Sequence, residues 1–319
     1  MKVIICKYQV IKSFFFIFFL IVLAACSNKS GTGSLIIKDY PDIRLGFSTQ
    51  NFQLAMPNNL ENLKEIIEYA SKEGYHFIEL RDDLAKLSTL DCIALADVAK
   101  NNKIEVIYEI HKNPLDTGFF KVFERGLTNA TLFSGPGILR TVVSKSEFDA
   151  DPAKKGWNKE EFMMLVHISD SCAAIAKAKN IQFVVENFNE AFFGESPNYF
   201  GLSDFFDNTS LTGLQLDMSN PFRKPVRVMA DPEKVVLFLS SLGTRWITTH
   251  LKTILVMGGD MQPVLTENPL PVEKIIAMMG QQNVKYAALE LASVADKQQC
   301  FENHSKSIRF LKEKGILKN

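Results

Sequence analysis

Short apolar, β-branched runs alternate with helically periodic stretches about eight times between residues 44 and 314, and this alternation restricts the chain more than any other feature. The runs are 44–48 (RLGFS), 76–80 (HFIEL), 104–110 (IEVIYEI), 131–134 (TLFS), 182–185 (QFVV), 213–216 (GLQL), 246–249 (WITT) and 286–289 (YAAL). The fourth rests on its place in the order rather than on its composition. After the first run, Leu60, Leu63, Ile66, Ile67 and Ala70 recur at helical spacing, and Gly74 supplies a stop. Further helices are predicted over 90–100, 119–130, 160–179, 202–206, 231–242, 271–281 and 293–314. Asp231-Pro232-Glu233 is a strong start signal: a capping acid, a proline in the first turn, then another acid.

Strands that alternate with helices predict a parallel sheet with helices outside it. About 275 residues for eight units is the usual size of a (β/α)8 (TIM) barrel, so the predicted fold is α/β, one barrel domain over 41–319. A doubly wound open sheet is the weaker alternative, because no Gly-x-Gly-x-x-Gly follows the first strand.

The N-terminus carries a separate message. Lys2, Lys7 and Lys12 precede an uninterrupted apolar run over 14–25. That run is too short to span a bilayer and suits the apolar region of a signal peptide. It ends in Leu23-Ala24-Ala25-Cys26, which resembles the bacterial lipobox. The resemblance implies removal of residues 1–25, a lipid on Cys26, and a flexible tether over 26–40 rich in Ser and Gly at its start. The expectation is an exported bacterial lipoprotein, periplasmic or on the cell surface, whose only membrane contact is the lipid.

Composition narrows the function classes. Lys+Arg and Asp+Glu are 36 each, and loss of 1–25 removes three lysines and no acid, leaving a slight acidic excess. A nucleic-acid binder needs the opposite balance. Cys92, Cys172 and Cys300 are widely spaced on predicted helices and read as buried small side chains, although a single disulfide is compatible with export.

In a barrel the chemistry sits where strands end. The fifth strand ends in Glu186-Asn187, the sixth in Asp217-Met218-Ser219-Asn220, the seventh in His250-Leu251-Lys252 and the eighth in Glu290. The intervals of 31, 33 and 40 residues are close to one βα unit each, so the four side chains reach one level of the barrel mouth. Three carboxylates and one imidazole suit a single divalent cation of the Mn²⁺, Mg²⁺, Co²⁺ or Zn²⁺ type. Without a cation, converging buried carboxylates would each cost several kcal/mol.

The order Glu, Asp, His, Glu on strands five to eight resembles the xylose isomerase-like barrels, in particular the sugar phosphate isomerase/epimerase branch. Glu186-Asn187, Asp217-Met218-Ser219-Asn220 and His250-Leu251-Lys252-Thr253 are similar to that branch's local motifs, with Thr253 in place of the usual aspartate. The entry to the second strand, Gly74-Tyr75-His76-Phe77-Ile78-Glu79-Leu80, is similar as well. The resemblance covers roughly 44–312. It implies a metal-dependent sugar isomerase or epimerase that removes a proton next to a carbonyl polarised by the ion, through an enediolate. It also implies that Glu186 and Glu290 act as ligands and as acid/base groups, with Asp217 and His250 as ligands only.

Weaker candidates for contacts to a sugar or keto-sugar are Glu79, Arg81, His111, Asn187, Asn220 and Lys252. Phe188, Phe192, Phe193 and Phe222 are candidates for stacking on a sugar face. The connections 135–158 and 253–269 are long enough to act as lids, and Gly258-Gly259 is a weak candidate phosphate cradle. Two other functions compete: a keto-sugar or inosose dehydratase on the same site, and a non-catalytic glycan-binding lipoprotein. An endonuclease IV-like reading would need more histidines than the five present, and a basic groove. An oligomer is compatible with the sequence.

Overall fold

Eight parallel strands close on themselves in sequence order in the computed structural model, which describes residues 33–144, 156–194, 198–223 and 229–318. The strands are β1 (Arg44–Ser48), β2 (Phe77–Arg81), β3 (Glu105–Glu109), β4 (Ile138–Val143), β5 (Gln182–Asn187), β6 (Gly213–Asp217), β7 (Trp246–Leu251) and β8 (Tyr286–Leu289). Each is followed by one helix: α1 (Leu60–Lys72), α2 (Thr89–Asn101), α3 (Phe119–Ala130), α4 (Lys159–Lys177), α5 (Leu202–Asn208), α6 (Pro232–Leu242), α7 (Val272–Gln282) and α8 (Lys297–Glu313). This is the predicted (β/α)8 barrel. The signal-peptide residues 1–25, Cys26 and the tether as far as residue 32 lie outside the described residues.

The helices begin and end where the side chains dictate. Asn59 caps α1 by accepting from the Asn62 N–H, and Leu63, Ile66, Ile67 and Ala70 face the sheet. Gly74, at φ 82°, lets the chain turn back towards β2. Asp231 caps α6 through the Glu233 N–H, with Pro232 in the first turn, as its sequence predicts. Cys92, Cys172 and Cys300 are buried free thiols on α2, α4 and α8.

Two expectations need correction. The fourth strand is 138–143, not 131–134. The amides of Thr131, Leu132 and Phe133 are spent on carbonyls at the end of α3, so that segment finishes a helix. Gly135 and Gly137, both at positive φ, then turn the chain into β4, which pairs with β5 along all six residues. The catalytic-side connection therefore begins at Ser144, and 145–155 within it lie outside the described residues. The tether also ends earlier than residue 40. Leu35 and Ile37 are buried, and Ile37 bridges to Leu317, because three consecutive apolar residues (35–37) gain more from packing against the barrel than from solvent.

Inside the barrel the alternation of side chains along each strand builds two layers. Phe77, Ile107, Ile138, Val184 and Ala288 form an apolar floor. Two residues further along the same five strands stand Glu79, Glu109, Arg140, Glu186 and Glu290, all buried. Gly46 opposes the floor on β1, where a Cβ would lie 2.5 Å from the Phe77 carbonyl oxygen, so β1 approaches β2 closely only because this position has no side chain. The larger core lies between the strands and the helices.

A second polar cluster joins α8 to the barrel. His304 is buried against Phe47 and Phe52, with Nε2 3.1 Å from the Asn51 amide and Nδ1 3.1 Å from the Tyr75 hydroxyl. Burial pushes its pKa down from 6.5 to about 3. The unfolded chain therefore takes up a proton here that the folded chain refuses, and stability is lost as the pH falls from 6.5 towards 3. His304→Gln is expected to flatten the fall in urea midpoint between pH 7 and pH 4.5; an unchanged slope would assign that fall to other groups.

Candidate active site

Asp217 is held from both sides before any ligand is considered. The Asn187 amide donates to the Asp217 carbonyl (3.0 Å) and its Oδ1 accepts the Asp217 N–H (2.8 Å). The amides of Ser219 and Asn220 donate to Asp217 Oδ1 at 2.9 and 2.8 Å. One carboxylate oxygen is thus committed to backbone, and Oδ2 is turned inwards. The end of β8 is fixed in the same manner. Asn51 donates to the Leu289 carbonyl (3.0 Å) and accepts from the Leu291 N–H (2.8 Å), bracketing Glu290.

His250 stands at the centre. Its Nδ1 lies 2.7 Å from Glu290 Oε2, 3.1 Å from Glu186 Oε1 and 3.8 Å from Asp217 Oδ2. One ligand atom from each of the four residues falls within 4.8 Å of all the others, and all four residues are buried. Strand pairing produces this convergence: Asp217 is level with His250, which is level with Ala288, two residues before Glu290. On the far side of the ring, Nε2 meets Glu79 Oε2 at 2.6 Å and the Gln215 amide at 2.5 Å. A carboxylate behind Nε2 holds a proton there, so Nδ1 is the nitrogen that would give up its proton to bind a cation among the three carboxylates.

Two buried cations complete the lumen. Arg140 spans Glu109 (2.7 Å from Nη2 and 3.1 Å from Nε) and Glu186 Oε2 (2.9 Å from Nη1). Lys252 Nζ lies 2.7 Å from Glu290 Oε2 and contacts Asp217 Oδ2, with Asn220 Oδ1 at 3.4 Å. These charges set the titration of the site. Burial pushes Glu109 up, but Arg140 and His250 outweigh it and hold the carboxyl at about 2. Burial opposes ionisation of Glu186 and Glu290 too, and Arg140 on the first and Lys252 on the second keep both below the usual carboxylate range. Glu79 has no cation of its own beyond His250, and burial raises it to about 8. His250 is held protonated well above its ordinary range, against its own burial, by Glu79, Glu290 and Glu186.

The donor set fits a divalent cation. Asp217 Oδ2 and Glu290 Oε2 are buried and receive no aligned hydrogen bond, although both face the cluster centre. Charge agrees. Glu79 and His250 share a proton and carry no net charge as a pair, so four carboxylates (Glu109, Glu186, Asp217, Glu290) face only Arg140 and Lys252, and two further positive charges balance the lumen.

The remaining sequence candidates separate. Glu79 and Lys252 join the cluster. Arg81 pairs with Asp83 at 2.5 Å. His111 packs edge-on against Phe188, with ring centroids 5.4 Å apart, and burial lowers its pKa to about 4. The Asn187 and Asn220 amides are spent on backbone carbonyls, so these residues hold the site rather than offer it free amides. Phe192 and Phe222 are buried in the core; Phe193 and Phe188 are partly exposed, the first packed against that core and the second 5.7 Å under the Arg223 guanidinium. The Gly258 and Gly259 amides donate to the carbonyls of Phe222 and Val256, which leaves no cradle for phosphate. The 253–269 connection is pinned at its base by Thr253, which accepts the Thr266 N–H at 2.8 Å. Glu109, Arg140 and Gln215 are site residues that the sequence reading missed.

Comparison with solved structures places this architecture. A sugar phosphate isomerase/epimerase from Parabacteroides distasonis matches with TM-score 0.62 and 14% identity, over 92% of this chain and 97% of that one. The chain shares its (β/α)8 barrel fold with that protein. A D-psicose 3-epimerase with D-tagatose from Clostridium cellulolyticum matches at 0.61 and 13%, over 87% of this chain and 100% of that one. A xylose isomerase-like TIM barrel protein from Mycobacterium smegmatis in complex with magnesium matches at 0.57 and 13%, over 85% and 97%. No protein-family model and no curated protein sequence matches the chain.

Proposed function

We propose that the chain is a divalent-metal-dependent isomerase or epimerase of unphosphorylated sugars or keto-sugars. The observation that carries this reading is the convergence of Glu186, Asp217, His250 and Glu290 at the end of a barrel whose fold neighbours include sugar epimerases. A divalent ion held by those four residues supplies Lewis acidity to a sugar carbonyl and makes the neighbouring C–H acidic.

The chain's own groups do the rest. Glu186 and Glu290 are the carboxylates able to take a proton from that carbon and to return it. They are not equivalent. Glu186 has Oε1 on His250 and Oε2 on Arg140, so both its oxygens are engaged. The ion-pair contacts of Glu290 both fall on Oε2, which makes Oε1 its proton-accepting oxygen. Return of the proton to the other face of the same carbon epimerises; delivery to the neighbouring carbon isomerises. Glu79 behind His250 fixes which ring nitrogen faces the carboxylates.

The test is solvent exchange. The Mn²⁺-loaded protein is incubated in heavy water with D-tagatose, D-fructose and D-allulose, and the sugars are analysed by mass and NMR. One deuterium at a carbon beside the carbonyl supports the reading. A product lighter by one water would make the protein a dehydratase, and no exchange with any sugar would contradict catalysis of this kind.

Export belongs to the same proposal and rests on residues 1–26 alone. Cys26→Ser is expected to abolish lipid labelling and to move the protein out of the membrane fraction; an unchanged distribution would contradict the anchor.

A further inference from the structure

The lumen already contains a cation where the divalent ion would act. Lys252 follows His250 by two residues, one past the end of β7, and its side chain reaches the same cluster. Its ammonium is buried, with 2% of the side chain exposed, and it rests on carboxylate oxygens of two of the four candidate ligands, Asp217 Oδ2 and Glu290 Oε2. Those two oxygens receive no aligned hydrogen bond. Lys252 neutralises them as a point charge. A compact ammonium on a four-carbon stem can leave such a position in a way that the planar, doubly bonded Arg140 cannot. One further acceptor lies within its reach, Asn220 Oδ1 at 3.4 Å. The Asn220 amide nitrogen is held on the Asn187 carbonyl, which anchors that acceptor on backbone rather than on Glu290.

We propose that Lys252 is a built-in occupant of the metal centre: its ammonium holds Asp217 and Glu290 together before metal arrives and withdraws towards Asn220 when a divalent ion takes those oxygens. The inference rests on the metal-centre reading above. Metal uptake is then a cation exchange within a preformed cage. Lys252 prevents the carboxylates from repelling one another in the metal-free protein and weakens metal binding by the work of its own displacement. It is a positioning residue for the centre, and a single long side chain sets how much free metal the protein needs.

Two measurements test this with Mn²⁺ alone as the probe. Isothermal calorimetry compares wild type with Lys252→Met, which keeps the stem and removes the charge. The variant is expected to bind Mn²⁺ at least about tenfold more tightly, since a unit charge this close to the ion is lost. Its metal-free form is expected to melt lower than wild type, with the gap closing on Mn²⁺ addition. Crystal structures of wild type with and without Mn²⁺ are expected to show Nζ leaving both carboxylates for Asn220. Equal affinities in the two proteins, or Nζ still on Asp217 and Glu290 beside bound Mn²⁺, overturns the exchange and leaves the metal centre standing. Absence of Mn²⁺ from both proteins overturns the metal centre itself. If Lys252→Met does not fold, Lys252→Gln and the wild-type structures carry the same decision.

Discussion

Glu290→Gln is expected to slow deuterium exchange into a responsive ketose by about 10²–10⁴-fold at saturating Mn²⁺, the range for loss of a positioned general base. Glu186→Gln is expected to act first on metal affinity, and to recover part of its rate when Mn²⁺ is raised. The difference follows from the partners of each carboxylate. Glu186 is gripped by Arg140 at 2.9 Å on one oxygen and by His250 at 3.1 Å on the other, whereas the contacts of Glu290 with His250 and Lys252 fall on Oε2 alone. Exchange rates for both variants across a Mn²⁺ titration decide the matter. Equal recovery of the two at high Mn²⁺ would mean that neither is the base.

Arg140→Met is expected to destabilise the fold by about 3–5 kcal/mol, the cost of stranding the buried partner of an ion pair. Arg140 is fully buried and holds Glu109 through two nitrogens and Glu186 through a third. Its removal leaves Glu109 in the lumen with only His250 and weak contacts to Ser48 and Gln215 at 3.5 Å. The fall in melting temperature should be on the order of 10 °C for a domain of this size. Adding Glu109→Gln to Arg140→Met should recover part of the loss, because the stranded charge goes with it. A single variant that melts within a degree of wild type would show that the lumen tolerates unpaired carboxylates, and the argument for a cation would weaken with it.

The sequence made the barrel legible because each βα unit carries its own signals. Gly74 ends α1 and Asp231-Pro232 opens α6 wherever the rest of the chain goes. It failed at β4, where Arg140 interrupts ILRTVV and hides an apolar run whose other residues are all buried. The arginine was itself the signal. A strand that accepts a fully buried guanidinium must supply carboxylates opposite it, and Glu109 and Glu186 on the flanking strands do so. The four ligands were legible because they sit one βα unit apart at strand ends. Gln215 was not, because a polar residue within a strand says nothing of which face it occupies until register is known; here it lies level with Thr248 and reaches His250. Asn187 and Asn220 look like substrate groups in the sequence. Only their hydrogen bonds reveal Asn187 as a clamp on the Asp217 backbone and Asn220 as a clamp on the Asn187 carbonyl.

The central claim is that side chains 186, 217, 250 and 290 share one divalent ion. Elemental analysis after equilibrium dialysis against Mn²⁺ tests it most directly, on wild type and on His250→Gln, which empties the middle of the cluster and keeps its neighbours. The account predicts one equivalent of metal per chain in wild type and a small fraction of that in the variant. Equal metal in both proteins, or none in wild type, would contradict it.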